Sequence, residues 1–283
     1  MNFPGQRGSG RGAFGTHGPH RGISTVFLTV LAATATGGVL TWLSSDNDSG
    51  SANRFVAFVF VFGLYFTVLC LHEFGHAYTA HRSGDTSIAG RGYLDLNPMR
   101  YVNPVLSLLL PAIFLIIGGL PLPGGAVQVN RAAIRSRGAA SLVSAAGPLT
   151  NIFFAAVSMI LVALFAPTVA FGPDTFLPNS AHSDFWAALS FFAYLQVAVA
   201  ILNLIPVPGL DGYGILEPYL RYETRRALDP IRQYGILIVL LLLFALPPVR
   251  DGFSTLITNI LEAAGQPNGA WAQGQDLFQF WRS

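Results

Sequence analysis

Long uninterrupted apolar runs restrict this chain more than any other feature. They cover roughly Ile23–Leu43, Phe55–Ala80, Val105–Leu120, Ala139–Ala166, Phe185–Ile205 and Ile231–Leu246. A helix needs about 20 apolar residues to cross about 30 Å of hydrocarbon, and most of the runs approach or exceed that length. Only 11% of the 283 residues are charged, against about 25% in an ordinary soluble domain. Water is therefore a poor solvent for much of the surface. The expected fold class is an all-α polytopic membrane protein with about six transmembrane helices. Val105–Leu120 is short and proline-flanked, and reads either as a full span or as a re-entrant segment. Phe253–Ala264 reads as an interfacial helix.

The organisation follows from these runs. Residues 1–21 are rich in Gly, Arg and His without apolar periodicity, and read as a disordered cytoplasmic tail. Residues 22–264 form the membrane-embedded domain, and 265–283 a C-terminal tail. A cleaved signal peptide over the first 44 residues is the competing reading, but its apolar stretch is too long for a typical signal. All sixteen basic residues are arginine, and their placement orients the spans. Arg7, Arg11 and Arg21 put the N-terminus inside. Arg82, Arg91 and Arg100, then Arg131, Arg135 and Arg137, then Arg221, Arg225, Arg226 and Arg232 mark further cytoplasmic connections. The loop 167–184 holds two Asp and no Arg, and suits the outside. A net charge of +2, with no basic run interleaved with aromatics, argues against a nucleic-acid partner. The single cysteine, Cys70, excludes an internal disulfide framework or a cysteine-rich metal site.

Ionisable groups inside apolar runs are costly, so they point to function by default. Away from the ends of the runs they are His72, Glu73 and His76, in one run, with Asp211 just beyond another. His72-Glu73-Phe74-Gly75-His76 is an H-E-x-x-H motif. On a helix its two histidines share a face one turn apart, a spacing that lets both imidazoles hold one Zn²⁺ with Glu73 beside it as general base. At this composition the motif arises by chance about 0.002 times per chain. A catalytic zinc needs a third protein ligand and an open position. The stretch Asn203-Leu204-Ile205-Pro206-Val207-Pro208-Gly209-Leu210-Asp211-Gly212 breaks its helix at the prolines. Asp211 then suits either a buried irregular segment lining a wet cavity or an ordinary cytoplasmic turn with a capping Asp. Depth bears on the choice. At 1.5 Å per residue, His72 lies about 26 Å past Phe55 and Asn203 about 27 Å past Phe185. Both helices run from outside to inside by the arginine placement, so a joint site near the cytoplasmic face is allowed.

With these residues the chain resembles the site-2 proteases, the intramembrane zinc metalloproteases, in a short bacterial form. The resemblance covers roughly Phe55–Tyr219. It rests on the H-E-x-x-H motif within a membrane helix and on Asn203…Pro206…Pro208…Leu210-Asp211-Gly212. Ala146-Gly147-Pro148-Leu149-Thr150-Asn151 is similar to the family's A-G-P-x-x-N stretch, and Leu96-Asn97-Pro98 with Tyr101-Val102-Asn103-Pro104 is similar to a bacterial subgroup. The resemblance implies that His72, His76 and Asp211 hold one Zn²⁺ per chain. It implies that Glu73 deprotonates water and later protonates the leaving amine, and that Asn203 hydrogen-bonds the oxyanion or positions the carbonyl. The implied substrate is a transmembrane protein, such as an anti-sigma factor or a signal-peptide remnant, cut within the lipid bilayer. No PDZ module interrupts the chain and no CBS-type domain follows. Tyr101-Val102-Asn103 stands where the family commonly has His-x-Asp, and Pro121 and Pro123 lie upstream of Ala126–Asn130 instead of within it.

A short re-entrant or β-like segment is expected near the active site. Ala126-Val127-Gln128-Val129 reads either as a strand that pairs with an extended substrate or as a short amphipathic connector. Asn151 reads as a buried polar residue bonding a neighbouring helix, Gly147 and Pro148 as a close-packing or bending pair. His17, His20 and His182 read as surface residues, and Trp42, Trp186, Tyr219 and Tyr222 as interfacial aromatics. A catalytically silent zinc-containing membrane-binding protein is the alternative from another class. A metal transporter is disfavoured by the lack of repeats, and serine or aspartyl chemistry by the lack of a G-x-S-G stretch and of a second intramembrane Asp.

Overall fold

The computed structural model describes residues 22–44, 51–100, 113, 127–169, 175–176 and 180–282. Helices dominate them: α1 Thr25–Ser44, α2 Ser51–Ser83, α3 Ser87–Gly90, α4 Arg137–Phe165, α5 Ser183–Leu204, α6 Asp211–Leu216, α7 Tyr222–Leu228, α8 Gly235–Ala245, α9 Pro247–Ala263 and α10 Ala270–Phe278. Two-residue strands β1 Thr168–Val169 and β2 Thr175–Phe176 pair antiparallel. Among the described residues, four helices (α1, α2, α4 and α5) are long and apolar enough to cross a membrane, and the count reaches five if the pair Tyr222–Ile231 and Gly235–Ala245, bent by 61°, is one span. The expected count of about six depends on 105–120, which lies outside the described residues.

α5 is the centre of the bundle. Most of its side chains are buried, among them Ala187, Ala188, Ala193, Ala198 and Ala200. A helix that is apolar all round belongs inside a bundle, and small side chains let neighbouring helices approach closely. α2, α4 and α10 pack on it, and α1 packs on α2. α4 instead turns Leu142, Leu149, Phe153, Ile160 and Leu164 outward. That surface suits lipid and would be unfavourable in water. α4 begins at Ser136, whose Oγ accepts from the Ala139 N–H at 3.1 Å, the usual way of satisfying a free helix-start donor.

Two expectations meet a different structure. Residues 265–283, read as a tail, contain α10, with Leu277 and Phe278 buried. A Cβ on Gly274 would lie 2.0 Å from the Ala187 carbonyl oxygen, so α10 lies hard against α5. His182 is no free surface residue: its ring stacks on Trp42 at 3.7 Å, and its Nδ1 lies 2.8 Å from the Trp42 carbonyl oxygen. Of the strand-like stretch Ala126–Val129, residue 126 lies outside the described residues, and 127–129 pair with no strand among the described residues, which leaves both readings of it open. Among the described residues the only paired strands are β1 and β2, whose Phe176 packs with Ala57, Ala187 and Ala270, far along α2 from His72. The apolar stretch of α9 behaves nearer to expectation, burying only Ile257 and Leu261, against Ala155 and Val197.

Candidate metal centre and its cleft

His72, Glu73 and His76 are buried near the C-terminal third of α2. Their helical spacing aligns the two imidazoles, with the Nε2 atoms 3.1 Å apart. Asp211, the first residue of α6, brings its Oδ2 to 3.3 Å from each of those nitrogens. Glu73 Oε1 stands 4.0 Å from His72 Nε2.

The break after α5 delivers Asp211 to α2. Pro206 and Pro208 have no N–H to continue a helix. Gly209 has φ +102°, a conformation only glycine adopts freely, and a Cβ there would lie 2.3 Å from the Arg232 carbonyl oxygen. The chain thus leaves α5 at Asn203, turns, and restarts one short helix beside His72. Asn203 is buried; its Nδ2 has no hydrogen-bond partner among the described residues.

The outer nitrogens of both rings are occupied. His72 Nδ1 lies 2.6 Å from Asn151 Oδ1, and Asn151 Nδ2 donates to Gln196 Oε1 at 2.8 Å. His76 Nδ1 lies 2.7 Å from the Val143 carbonyl oxygen. Both neighbours are acceptors, so each Nδ1 carries the proton and each Nε2 turns a lone pair inward. Two lone pairs and an anionic oxygen therefore converge.

These residues could hold one metal ion, and the spacing tests the fit. Tetrahedral zinc with bonds of about 2.0–2.1 Å separates its donors by about 3.3 Å. The three separations are 3.1, 3.3 and 3.3 Å. α4 also comes close: a Cβ on Gly147 would lie 2.3 Å from His76 Nε2 and 2.4 Å from His72 Nε2.

A cavity of about 440 Å³ opens beside the three residues. Glu73 and Asn203 face it, as do Val127, Val129, Arg131 and Arg232. Residues 127–130 border it as extended chain. The Val127 N–H donates to the Glu73 carboxylate. On alternate residues the backbone turns away, with Gln128 O accepting from Arg91 Nη1 at 3.0 Å and the Asn130 N–H donating to Asp85 Oδ2 at 2.7 Å. Since extended chain alternates its edges, residues 127 and 129 are left on the cleft side.

Similarity to known proteins agrees with this geometry. The pattern of peptidase family M50 matches residues 112–246, which hold Gly147, Asn151, Asn203 and Asp211. A Mycolicibacterium smegmatis protein named as a zinc metalloprotease, Rip2, is 42% identical over 258 residues, 91% of this chain and 94% of that one. The chain belongs to peptidase family M50. The Rip2 protein of Mycobacterium tuberculosis is 43% identical over the same shares. YwhC of Bacillus subtilis, also named as a zinc metalloprotease, is 33% identical over 209 residues, 70% of this chain and 88% of its own. No solved structure matches.

All five residues singled out from this M50 sequence, His72, Glu73, His76, Asn203 and Asp211, line the same cavity. Gln196 was missed. Its signal was there, a lone amide in the apolar run Phe185–Ile205, where a polar group seeks a partner. Asn151 reaches the site by orienting His72 and not by touching the cleft. Asn151→Ala is expected to weaken Zn²⁺ affinity about 10- to 100-fold, the usual cost of losing such a support. Competition with a fluorescent chelator measures it; undiminished affinity would show that the amide does not orient the ring.

Proposed function

We propose that this chain is a zinc-dependent endopeptidase that hydrolyses a peptide bond in or near a transmembrane segment of a membrane-protein substrate. The observation that carries the reading is the convergence of His72 Nε2, His76 Nε2 and Asp211 Oδ2 beside a buried Glu73, at the end of a membrane-length helix. In this reading His72, His76 and Asp211 hold the ion. When bound, it supplies Lewis acidity toward the scissile carbonyl and lowers the pKa of water. Glu73 takes the proton from the attacking water and passes it to the leaving amine. The Val127 N–H donating to Glu73 keeps that carboxylate at the edge of the cleft.

Asn203 donates its free Nδ2–H₂ to the carbonyl oxygen as charge develops there. An unpartnered buried amide supports that role, because its hydrogen-bonding capacity is otherwise wasted. Substrate lies extended along the edge of Val127 and Val129, while the opposite edge is spent through the Gln128 carbonyl on Arg91 and the Asn130 N–H on Asp85. The arginine placement supports a cytoplasmic N-terminus and a site near the cytoplasmic face of the cell membrane.

The test uses the purified full chain in detergent micelles with a transmembrane peptide bearing a helix-destabilising residue. Cleavage is expected to stop on removal of metal by a chelator and to return with Zn²⁺. Mass spectrometry should place the new termini within or next to the apolar segment. Cleavage that persists in the metal-free protein, or cuts confined to distant polar flanks, would overturn the reading. Full zinc with no turnover on any such peptide would favour a silent zinc protein.

A further inference from the structure

The cleft has a strongly cationic end that the chemistry above does not use. Arg131 and Arg232 line the cavity that holds Glu73 and Asp211. A second cavity, about 300 Å³, shares Arg131, Ile134 and Ala140 with it and adds Arg137 and Arg225. Four guanidinium groups thus line two adjoining cavities. Apart from Asp211, which lies beside the two histidines, the acids lining these cavities among the described residues are Glu217 and Glu73. Glu73 lies at the far end, against the Val127 N–H. Glu217 is buried and already bonded on both oxygens, one by Arg131 and the other by Arg232. It ties the 127–133 segment to the chain after α7, and among the described residues neither Arg137 nor Arg225 bonds to it.

Two further observations mark an unmet demand for negative charge. The Nε of Arg225 is buried without a hydrogen-bond partner among the described residues, as is that of Arg232, whose Nη2 meets Glu217 and lies 3.6 Å from Asp229. Burial and the neighbouring Arg232 and Arg225 also press the Arg131 guanidinium below its ordinary pKa, the mark of cations crowded against one another.

We infer that this arginine basin binds a carboxylate carried by the substrate peptide a few residues from the scissile bond, and so selects substrates by charge. The inference rests on the peptidase reading and names the substrate class for it. A guanidinium accepts a carboxylate with two parallel hydrogen bonds. The basin adjoins the catalytic cleft at Arg131, Ile134 and Ala140, so a chain lying along Val127 and Val129 and carried on past Arg131 reaches Arg225. That continuity favours a peptide over a lipid headgroup as the occupant. It also makes the choice discriminating. Cytoplasmic flanks of membrane spans are usually rich in Lys and Arg, and the basin repels those.

The experiment measures binding apart from cleavage. The Glu73→Gln protein in neutral detergent is titrated with three fluorescent transmembrane peptides, identical except for Glu, Gln or Lys in the flank, and anisotropy gives each Kd. The Glu peptide is expected to bind about tenfold tighter than the Gln peptide and the Lys peptide more weakly than either. Arg137→Gln with Arg225→Gln should bring the Glu peptide to the affinity of the Gln peptide. Arg225→Glu should turn the preference towards Lys, a gain that misfolding cannot mimic. Equal Kd values for the three peptides would overturn the inference, as would a Glu preference that survives both variants. Loss of the preference on adding phosphatidylglycerol would assign the basin to a lipid phosphate and overturn it too. Wild-type protein run in parallel separates the two readings: charge-selective binding without cleavage of any peptide would remove the peptidase and leave the basin.

Discussion

Glu73→Gln is expected to lower kcat on a transmembrane peptide by about 10³-fold, the usual range for losing a general acid–base group, while zinc content stays at one per chain. The separation of the two readouts is the point. Glu73 is 3% exposed, 4.0 Å from His72, and held by the Val127 N–H. Glutamine has the same shape and keeps an oxygen to accept that bond, so neither packing nor the three ligand atoms should move. What it cannot do is take a proton from water. Stopped assays on peptide with metal analysis of the same preparation check both halves. A variant that still cleaves within tenfold of wild type would remove Glu73 from the proton transfers. One that loses zinc as well would make it a structural support.

Gly147→Ala is expected to lower metal content to about a tenth or less without unfolding the chain. The glycine sits within α4, where alanine is favoured by about 1 kcal/mol, so backbone preference alone argues for a harmless change. The added methyl carbon, however, would lie 2.3 Å from one Nε2 and 2.4 Å from the other. That is where the two lone pairs converge, so the methyl competes for the volume an ion needs. Cores relieve overpacking by shifting side chains at a cost of about 1–3 kcal/mol. Here the side chains that would shift are His72 and His76, each held on its other face by Asn151 or the Val143 carbonyl. Metal analysis and circular dichroism of purified protein check the result. Full metal with a lowered melting temperature would mean that Gly147 serves helix packing alone.

Much of this site was legible beforehand because a membrane exaggerates chemical contrast. His72, Glu73 and His76 stand out in an apolar run for the same reason that they are expensive there. Counting residues along two helices was enough to bring Asn203 and His72 to one depth, since helical rise is nearly constant. The rest depended on contacts between distant segments. Gln196 matters because Asn151, 45 positions earlier, turns its amide towards it. His182 stops being a surface residue only when Trp42 is beside it, 140 positions away. Residues 270–278 carry little that marks them as buried in isolation; their fate is set by the face of α5 that they cover.

The sequence by itself determined the solvent, the helices long enough to cross it, and the residue types of the metal centre. Those follow from local quantities: run length, periodicity and the cost of a charge in hydrocarbon. Tertiary structure decided between the two readings of Asp211, bringing its Oδ2 to 3.3 Å from both imidazoles, and it alone left no room for a side chain at Gly147. It alone decided that Glu217 binds two arginines and leaves two others unmatched at the mouth of the cleft. Each of these depends on which helix faces which. In a bundle packed by close approach and buried hydrogen bonds, that choice is made by all the contacting segments together.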